Sequence, residues 1–595
     1  MPRQTGAGAG VFDFRRSDRN SRSDRNKAVG IAAQWAALLA LGLAQSGTAL
    51  ADGPLRGNPL DSLPSIEKPG PAAPPAPVQS RPEDDKSAVG SRLQQRIVPR
   101  HFAVSGNKTI EFKRISAILE PLAGREMTVA QLVQEVNKIT QLYQQAGYPL
   151  SFALLQDQDF AGGMVRVTVV EGHVSGLRVE GDVGNAGERL QTLAGPLIAE
   201  KPLTRRTLER VLNLMRQVPG VRFTPQLDMP RRVDGATELV LNATRRKFGF
   251  SGGLADMGTG MQGIVNLTAN SLTPLGEQVK LTAAVPTNRR DVRYIAGSAS
   301  VPVGSDGLAV EVDGYHYESH PEDEVLQSQG WDRRVVNERI GLGVSYPLLL
   351  DNKRLLSGSL GVYAAQTIDE YQRDADNAWL QQRAHIRAAR ASLRYREVGE
   401  NQARDITVGI NKGFDALGAK KSLRSNYAVF EPPAYDLDFT RYTLDFKQTV
   451  NLPAGFGLAL SGTGQYSRDI LPNIEQTSFG AWRYGLGYPQ GELAGDKGYG
   501  VSLEVNKRFA TGWRVLSTVQ PYALVDHARA WYNDDAYQAY NGRKLSSAAL
   551  GLRLTDDRYY VFDLNVAKPI GDTPLNSDKR KLRFNANYSL LYDGF

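Results

Sequence analysis

Residues 246–595 are built of short runs in which apolar and polar side chains alternate, and nothing else in the chain limits the fold so tightly. Val279, Leu281, Ala283 and Val285 form one such run, and Val501, Leu503 and Val505 another. In the last, Leu582, Phe584, Ala586, Tyr588, Leu590 and Tyr592 interleave with Arg583, Asn585, Asn587 and Ser589. A period of two places one set of side chains on each face of a strand. Gly, Asp, Asn and Pro separate the runs, and no capped amphipathic helix interrupts them. Strands are expected near 246–256, 260–272, 276–286, 291–303, 306–318, 334–347, 353–369 and 383–398. Eight more are expected near 401–413, 437–451, 455–469, 499–510, 513–529, 543–555, 557–568 and 579–592. An even number of two-faced strands without large core helices is the pattern of an all-β, sixteen-stranded antiparallel transmembrane barrel. A soluble sandwich or propeller competes with this reading, but does not account for an export signal, even spacing and a terminal aromatic together.

That signal is expected at residues 1–51. Arg15, Arg16, Arg19, Arg22, Arg25 and Lys27 precede an apolar stretch over 28–44, and Ala49-Leu50-Ala51 fits a small-residue cleavage site. The cleavage site weighs against the alternative of a membrane anchor. No later stretch is long and apolar enough for a membrane-crossing helix. The chain has no cysteine, hence no disulfide and no thiolate metal site. A formal charge of +8, partly supplied by the leader, is too balanced to imply a nucleic-acid partner.

Residues 52–95 hold Pro69, Pro71, Pro74, Pro75 and Pro77 and then Glu83, Asp84, Asp85 and Lys86, which reads as a linker. From 96 the composition changes to that of a packed α+β region. Thr128 with Gln131 three residues later is a capping box. Val129, Leu132, Val133, Val136, Ile139 and Tyr143 follow helical spacing as far as Gly147. A shorter helix precedes it, a strand ending in VSGN (104–107) precedes both, and strands at 150–155 and 165–170 follow. The same order recurs with VEGD at 179–182, LAG at 193–195 echoing 122–124, and a helix carrying Leu208, Val211, Leu212, Met215 and Val218. Two β-α-α-β-β modules are therefore expected, at 96–172 and 173–245. Open edges of such small sheets can accept an extended chain as an added strand.

One stretch fits neither texture. Residues 479–498, FGAWRYGLGYPQGELAGDKG, hold six glycines and a proline beside Trp482, Tyr484, Leu486, Tyr488 and Leu493. A long segment both glycine-rich and apolar is expected to fold back into something. It lies in the longest inter-strand connection, 470–498, after the eleventh strand. Connections 319–333 and 414–436 are also long and polar. All three follow odd-numbered strands and so share one side of the membrane, the outside if the modules are periplasmic.

Signal peptide, linker, two modules and a sixteen-stranded barrel together resemble the outer-membrane transporters of two-partner secretion, whose modules are called POTRA domains. GLGYPQGELAGDKG (485–498) is similar to that family's lid motif, V-R-G-Y/F followed by G-E-x-S-G-D-x-G. Gly485, Gly487, Tyr488, Gly495, Asp496 and Gly498 carry the likeness, while Leu486 stands where the family has arginine. The resemblance implies a lid folded into the lumen, with that arginine paired to an acid of the wall. The wall motif corresponds to PYALVDHARAW (521–531), with Asp526 in the acid's place and Ala528 where glycine is usual. Asp526 is then left either to Arg483, three residues upstream of Leu486, or to hydration in a polar lumen. Exchanging the two charges would separate these. Terminal Phe595, out of phase with the last strand, resembles the signal read by the barrel-assembly machinery.

The resemblance implies a pore in outer-membrane lipid that captures a secreted β-helical exoprotein, an adhesin or cytolysin, through residues 96–245. Export would need no nucleotide, and no phosphate-binding G-x-x-x-x-G-K-[ST] is present. A barrel-assembly factor of the same superfamily is the alternative, although such proteins generally carry three or more modules. Six histidines, no nucleophile elbow and no H-E-x-x-H leave an enzyme, a metal or a cofactor without candidates.

Overall fold

The computed structural model describes residues 93–592, with Leu63 and Ile66, apart from 157, 233, 257–260, 286–291, 322–323, 576 and 578. The expected signal peptide, almost all of the linker and Phe595 lie outside the described residues.

In the first module β1 (His101–Ser105), α1 (Phe112–Leu119), α2 (Val129–Gln145), β2 (Phe152–Leu155) and β3 (Met164–Val170) follow in that order. The sheet order is β1-β3-β2, parallel between β1 and β3 and antiparallel between β3 and β2. The expected capping box is formed: the Gln131 N–H donates to the Thr128 hydroxyl, and the Thr128 N–H to the Gln131 side chain. Ile115, Leu132, Val136, Ile139 and Tyr143 are buried against Val165, Val167 and Val169.

The second module repeats the plan with β4 (His173–Glu180), α3 (Ala186–Ala199), α4 (Arg205–Arg216), β5 (Val221–Leu227) and β6 (Ala236–Arg245), in sheet order β4-β6-β5. The VSGN/VEGD echo is structural. Gly106 and Gly181 both have positive φ, +87° and +99°, and a Cβ on either would stand about 2 Å from a carbonyl of the central strand, Val169 O or Ala243 O. The LAG echo is not. Gly124 follows a helix end, whereas Gly195 lies inside α3. The modules interlock, with Leu150 of the first buried in the core of the second and the Arg205 N–H donating to Gly147 O at 2.8 Å.

Sixteen antiparallel strands then close a barrel: β7 (Phe248–Asp256), β8 (Met261–Asn270), β9 (Gln278–Val285), β10 (Val292–Val303), β11 (Leu308–Ser319), β12 (Trp331–Leu350), β13 (Arg354–Arg373) and β14 (Ala378–Val398). These are followed by β15 (Gln402–Gly413), β16 (Thr440–Asn451), β17 (Phe456–Ser467), β18 (Lys497–Lys507), β19 (Thr518–Trp531), β20 (Leu545–Thr555), β21 (Tyr560–Pro569) and β22 (Arg583–Leu591). β22 pairs with β7, leaving no edge for lipid to meet. Leu342, Leu360, Val362, Leu444, Val505, Leu550 and Phe584 are exposed on the outer wall. Inside, Arg553 bridges Glu504 and Asp563 at 2.7 Å each, and Arg333 makes a buried two-bond pair with Asp369. Charges that would be costly against lipid are thus paired within the lumen.

Two connections differ from expectation. In the expected loop 414–436, Lys420–Ser425 is a strand extending the wall beside β14, and Tyr435, followed by Leu437 and Phe439, turns into the interior. In 319–333, β12 begins at Trp331, after a short helix at Glu324–Ser328. Apolar residues near the ends of both segments carry the chain inward.

The second module docks on the periplasmic end of the barrel. Arg210 of α4 pairs with Asp306 at 2.8 Å and donates to Pro347 O and Tyr346 Oη at 3.1 Å. Leu214 of α4 shares a core with Leu350 at the end of β12. Ile66 lies against the inner face of β7 at Gly253.

Candidate functional site: a lid in the lumen

The connection between β17 and β18 does not extend into solvent. It enters the lumen as a hairpin, in which Thr477–Phe479 pairs with Leu493–Gly495, and returns from a tip at residues 480–492. Its apolar residues, unexplained in a solvated loop, are the means of burial. Phe479, Tyr488 and Leu493 pack with Ala528, Ala530 and Leu545 of β19 and β20. Leu471 and Ile474, at the stem, pack with Tyr363 of β13, Ile386 of β14 and Phe439 just before β16. Two tip residues other than glycine, Ala481 and Tyr484, adopt left-handed backbone (φ 51° and 55°), a strained conformation held by these contacts.

Polar fastenings act mainly through carboxylates. Asp496, fully buried, accepts from the N–H groups of Leu471 (2.8 Å) and Asn533 (2.7 Å) and from the Gln476 side chain (3.1 Å). Glu492 accepts from the Leu575 N–H at 2.5 Å and lies 3.7 Å from Arg543. Glu475 is gripped by Arg441 of β16 at 3.0 Å and by the Tyr363 hydroxyl of β13 at 2.8 Å. The Tyr488 hydroxyl donates to Asp572 O at 2.8 Å. Gly487 and Gly495 are needed for close approach, since a Cβ would stand 2.6 Å from Pro569 N in the first case and 2.5 Å from Trp531 O in the second. Gly485 bridges to Ala481 in the tip, and Gly498 sits in β18 against Phe479.

The expected ionic latch is corrected here. Asp526 on β19 is 5 % exposed, so it is not left to hydration, and its carboxylate is not held by Arg483. Its Oδ2 accepts from the backbone N–H of Leu486 at 3.0 Å, and its Oδ1 from the Ser547 N–H at 3.1 Å and the Ser547 hydroxyl. From β22, Asn585 Nδ2 donates to Leu486 O at 3.2 Å. The residue without a charge therefore still supplies the latch, through its peptide group. Reading side chains alone could not show this, because every residue but proline carries the same N–H. Glu475 was also missed; an acid amid Ile470, Leu471 and Ile474 was the available signal.

A closed, lipid-facing barrel with two small modules at one mouth and a fastened hairpin in its lumen defines an outer-membrane transporter with periplasmic POTRA domains. Residues 97–172 match the POTRA domain, ShlB-type, and residues 235–554 match the haemolysin secretion/activation protein family ShlB/FhaC/HecB. The chain belongs to that family, the outer-membrane transporters of two-partner secretion, which export exoproteins. It is 22 % identical over 491 residues to the heme/hemopexin transporter protein HuxB of Haemophilus influenzae, covering 80 % of this chain and 84 % of that one. With the outer membrane transporter CdiB of Dickeya dadantii it shares 24 % identity over 463 residues, 74 % of this chain and 77 % of the other. The solved structure of CdiB from Escherichia coli has the same fold, with a TM-score of 0.63, 19 % identity, and coverage of 86 % and 94 %.

Proposed function

We propose that this transporter captures one large exoprotein in the periplasm through residues 96–245, while that protein is still unfolded, and passes it as an extended chain along the lumen. The observation that carries the reading is the lid: a hairpin held in the pore by discrete hydrogen bonds, which can be exchanged for others when a chain enters. Open three-stranded sheets support capture by strand addition. In the second module β5 carries Pro225, which blunts that edge, so β4 is the better acceptor there. Folding of the exported chain outside, rather than nucleotide hydrolysis, supplies the direction.

The test removes residues 96–245 and follows export of a co-expressed candidate exoprotein, together with conductance in planar bilayers. Export should be lost while the barrel still conducts. Export at the parental level would contradict capture by the modules.

A further inference from the structure

On the outer wall of β14, the apolar residues Ala391 and Ala389 give way toward the extracellular end to Arg387, His385 and Arg383. The alternation with Ile386, Ala384 and Ala388, which are buried in the lumen, places all three basic side chains outward. Lys412 follows exposed Ile410 on the outward face of β15, and Lys420 stands directly across from His385. Six basic groups, counting exposed Arg424 opposite Gln381, thus share one patch on β14, β15 and the Lys420–Ser425 strand.

Among the described residues none of the six forms an ion pair. Arg387 and Lys412 donate only to the backbone carbonyls of Ile386 and Asp438. Arg383 Nε and His385 Nε2 are buried without a hydrogen-bond partner. Of the outward carboxylates nearby, Glu338 is engaged by His316 at 2.9 Å and Glu370 by Arg334 at 3.6 Å, while exposed Asp438 meets Lys412 through its backbone carbonyl. Directly below the patch the wall is not a plain ridge. A groove of about 520 Å³, almost wholly apolar, is lined by Leu342, Val344, Leu360, Val362, Ala389 and Ile410 and reaches Lys412 at its upper rim.

Unpaired cations facing outward at the upper limit of the apolar band sit at the level of lipid headgroups, where basic side chains bind phosphates. An apolar channel beneath them matches an acyl chain. We infer that this face binds a phosphorylated, acylated glycolipid of the outer leaflet, lipid A in chemical class, with its phosphates on the patch and one chain in the groove. The inference requires only the outer-membrane location, and is independent of what the pore exports.

The full-length protein in detergent is titrated with bis-phosphorylated lipid A, with the same lipid lacking both phosphates, and with phosphatidylglycerol, and bound lipid is counted by native mass spectrometry. Lipid A should bind at least tenfold more tightly than either control. Arg383→Ala/Arg387→Ala/Lys412→Ala/Lys420→Ala should weaken it at least tenfold. Arg293→Ala, removing a cation already paired with Glu318, should not. Should the quadruple variant fail to fold, Lys412→Glu/Lys420→Glu, at two exposed positions, should show the same loss. Unchanged retention by the variants overturns the inference. So does equal binding of the phosphate-free lipid, which leaves the groove alone, or of phosphatidylglycerol, which leaves unselective anion binding.

Discussion

Replacing Asp526 by alanine isolates the tip of the lid. The substitution removes the acceptor for the Leu486 N–H, whose 3.0 Å bond crosses from lid to wall; the Ser547 bonds lie within the wall. A hydrogen bond to a charged group contributes about 1.5–3 kcal/mol, and an unpaired buried N–H forfeits energy of similar size. The open-to-closed ratio of the tip should therefore rise roughly 10- to 150-fold. Asp496, Glu475 and Glu492 remain fastened, so the stem should stay in place. Because the chain has no cysteine, Trp482→Cys at the tip gives a unique label site. Its rate of reaction with a membrane-impermeant maleimide, in otherwise parental protein and with Asp526→Ala, reads the opening directly. Leu486→Pro, which removes the donor, should act like Asp526→Ala, whereas Leu486→Ala should not. A rate within twofold of parent for Asp526→Ala would refute the backbone latch.

Exchanging Arg483 and Asp526 should give no recovery of export over the Asp526→Arg single change, because Asp526 binds a peptide group; recovery would restore the ionic latch. Gly495→Ala, with its Cβ 2.5 Å from Trp531 O, should loosen the hairpin base and raise labelling at Trp482→Cys more than Gly485→Ala, and equal effects would contradict the close approach. Glu171 in the first module is pushed up in pKa by burial, but the Thr109 and Lys108 N–H groups and the Tyr143 and Thr109 hydroxyls more than offset this and leave it below its ordinary value. Its folded pKa being the lower one, its stabilisation is present above the unfolded pKa and is lost as pH falls through the folded value, below about 4.5. Proteolytic protection of this module should fall over that acid range in the parent and be nearly flat in Glu171→Gln. Arg210→Ala should weaken docking of the second module by ~1–2 kcal/mol, discounted because Asp306 is mostly exposed, and widen the distance distribution between spin labels on α4 and the 304–307 turn.

Legibility in the sequence followed the physics of each part. The barrel strands were readable because lipid on one side and water on the other force a period of two, as in 582–592, where exposed Phe584 alternates with buried Asn585. The modules were readable from capping and helical spacing at Thr128–Tyr143, yet LAG at 193–195 misled because a tripeptide fixes no conformation without its neighbours. Lys420–Ser425 was missed because its pairing is decided by β14, over thirty residues away. The lid was visible as glycine mixed with aromatics; its latch was not, because the donor is the peptide group of Leu486.

The central claim is that the exported chain and the closed lid compete for one lumen. Tyr484→Cys with Gly500→Cys tests it, since a Cβ on Gly500 would stand 2.7 Å from that of Tyr484, about 1 Å inside the usual disulfide spacing and within reach of a small loop shift. Oxidation then ties lid to wall. Export of the partner protein should stop in the oxidised double variant and return on adding reductant, with both single variants unaffected by either. Undiminished export with the crosslink formed would contradict the account.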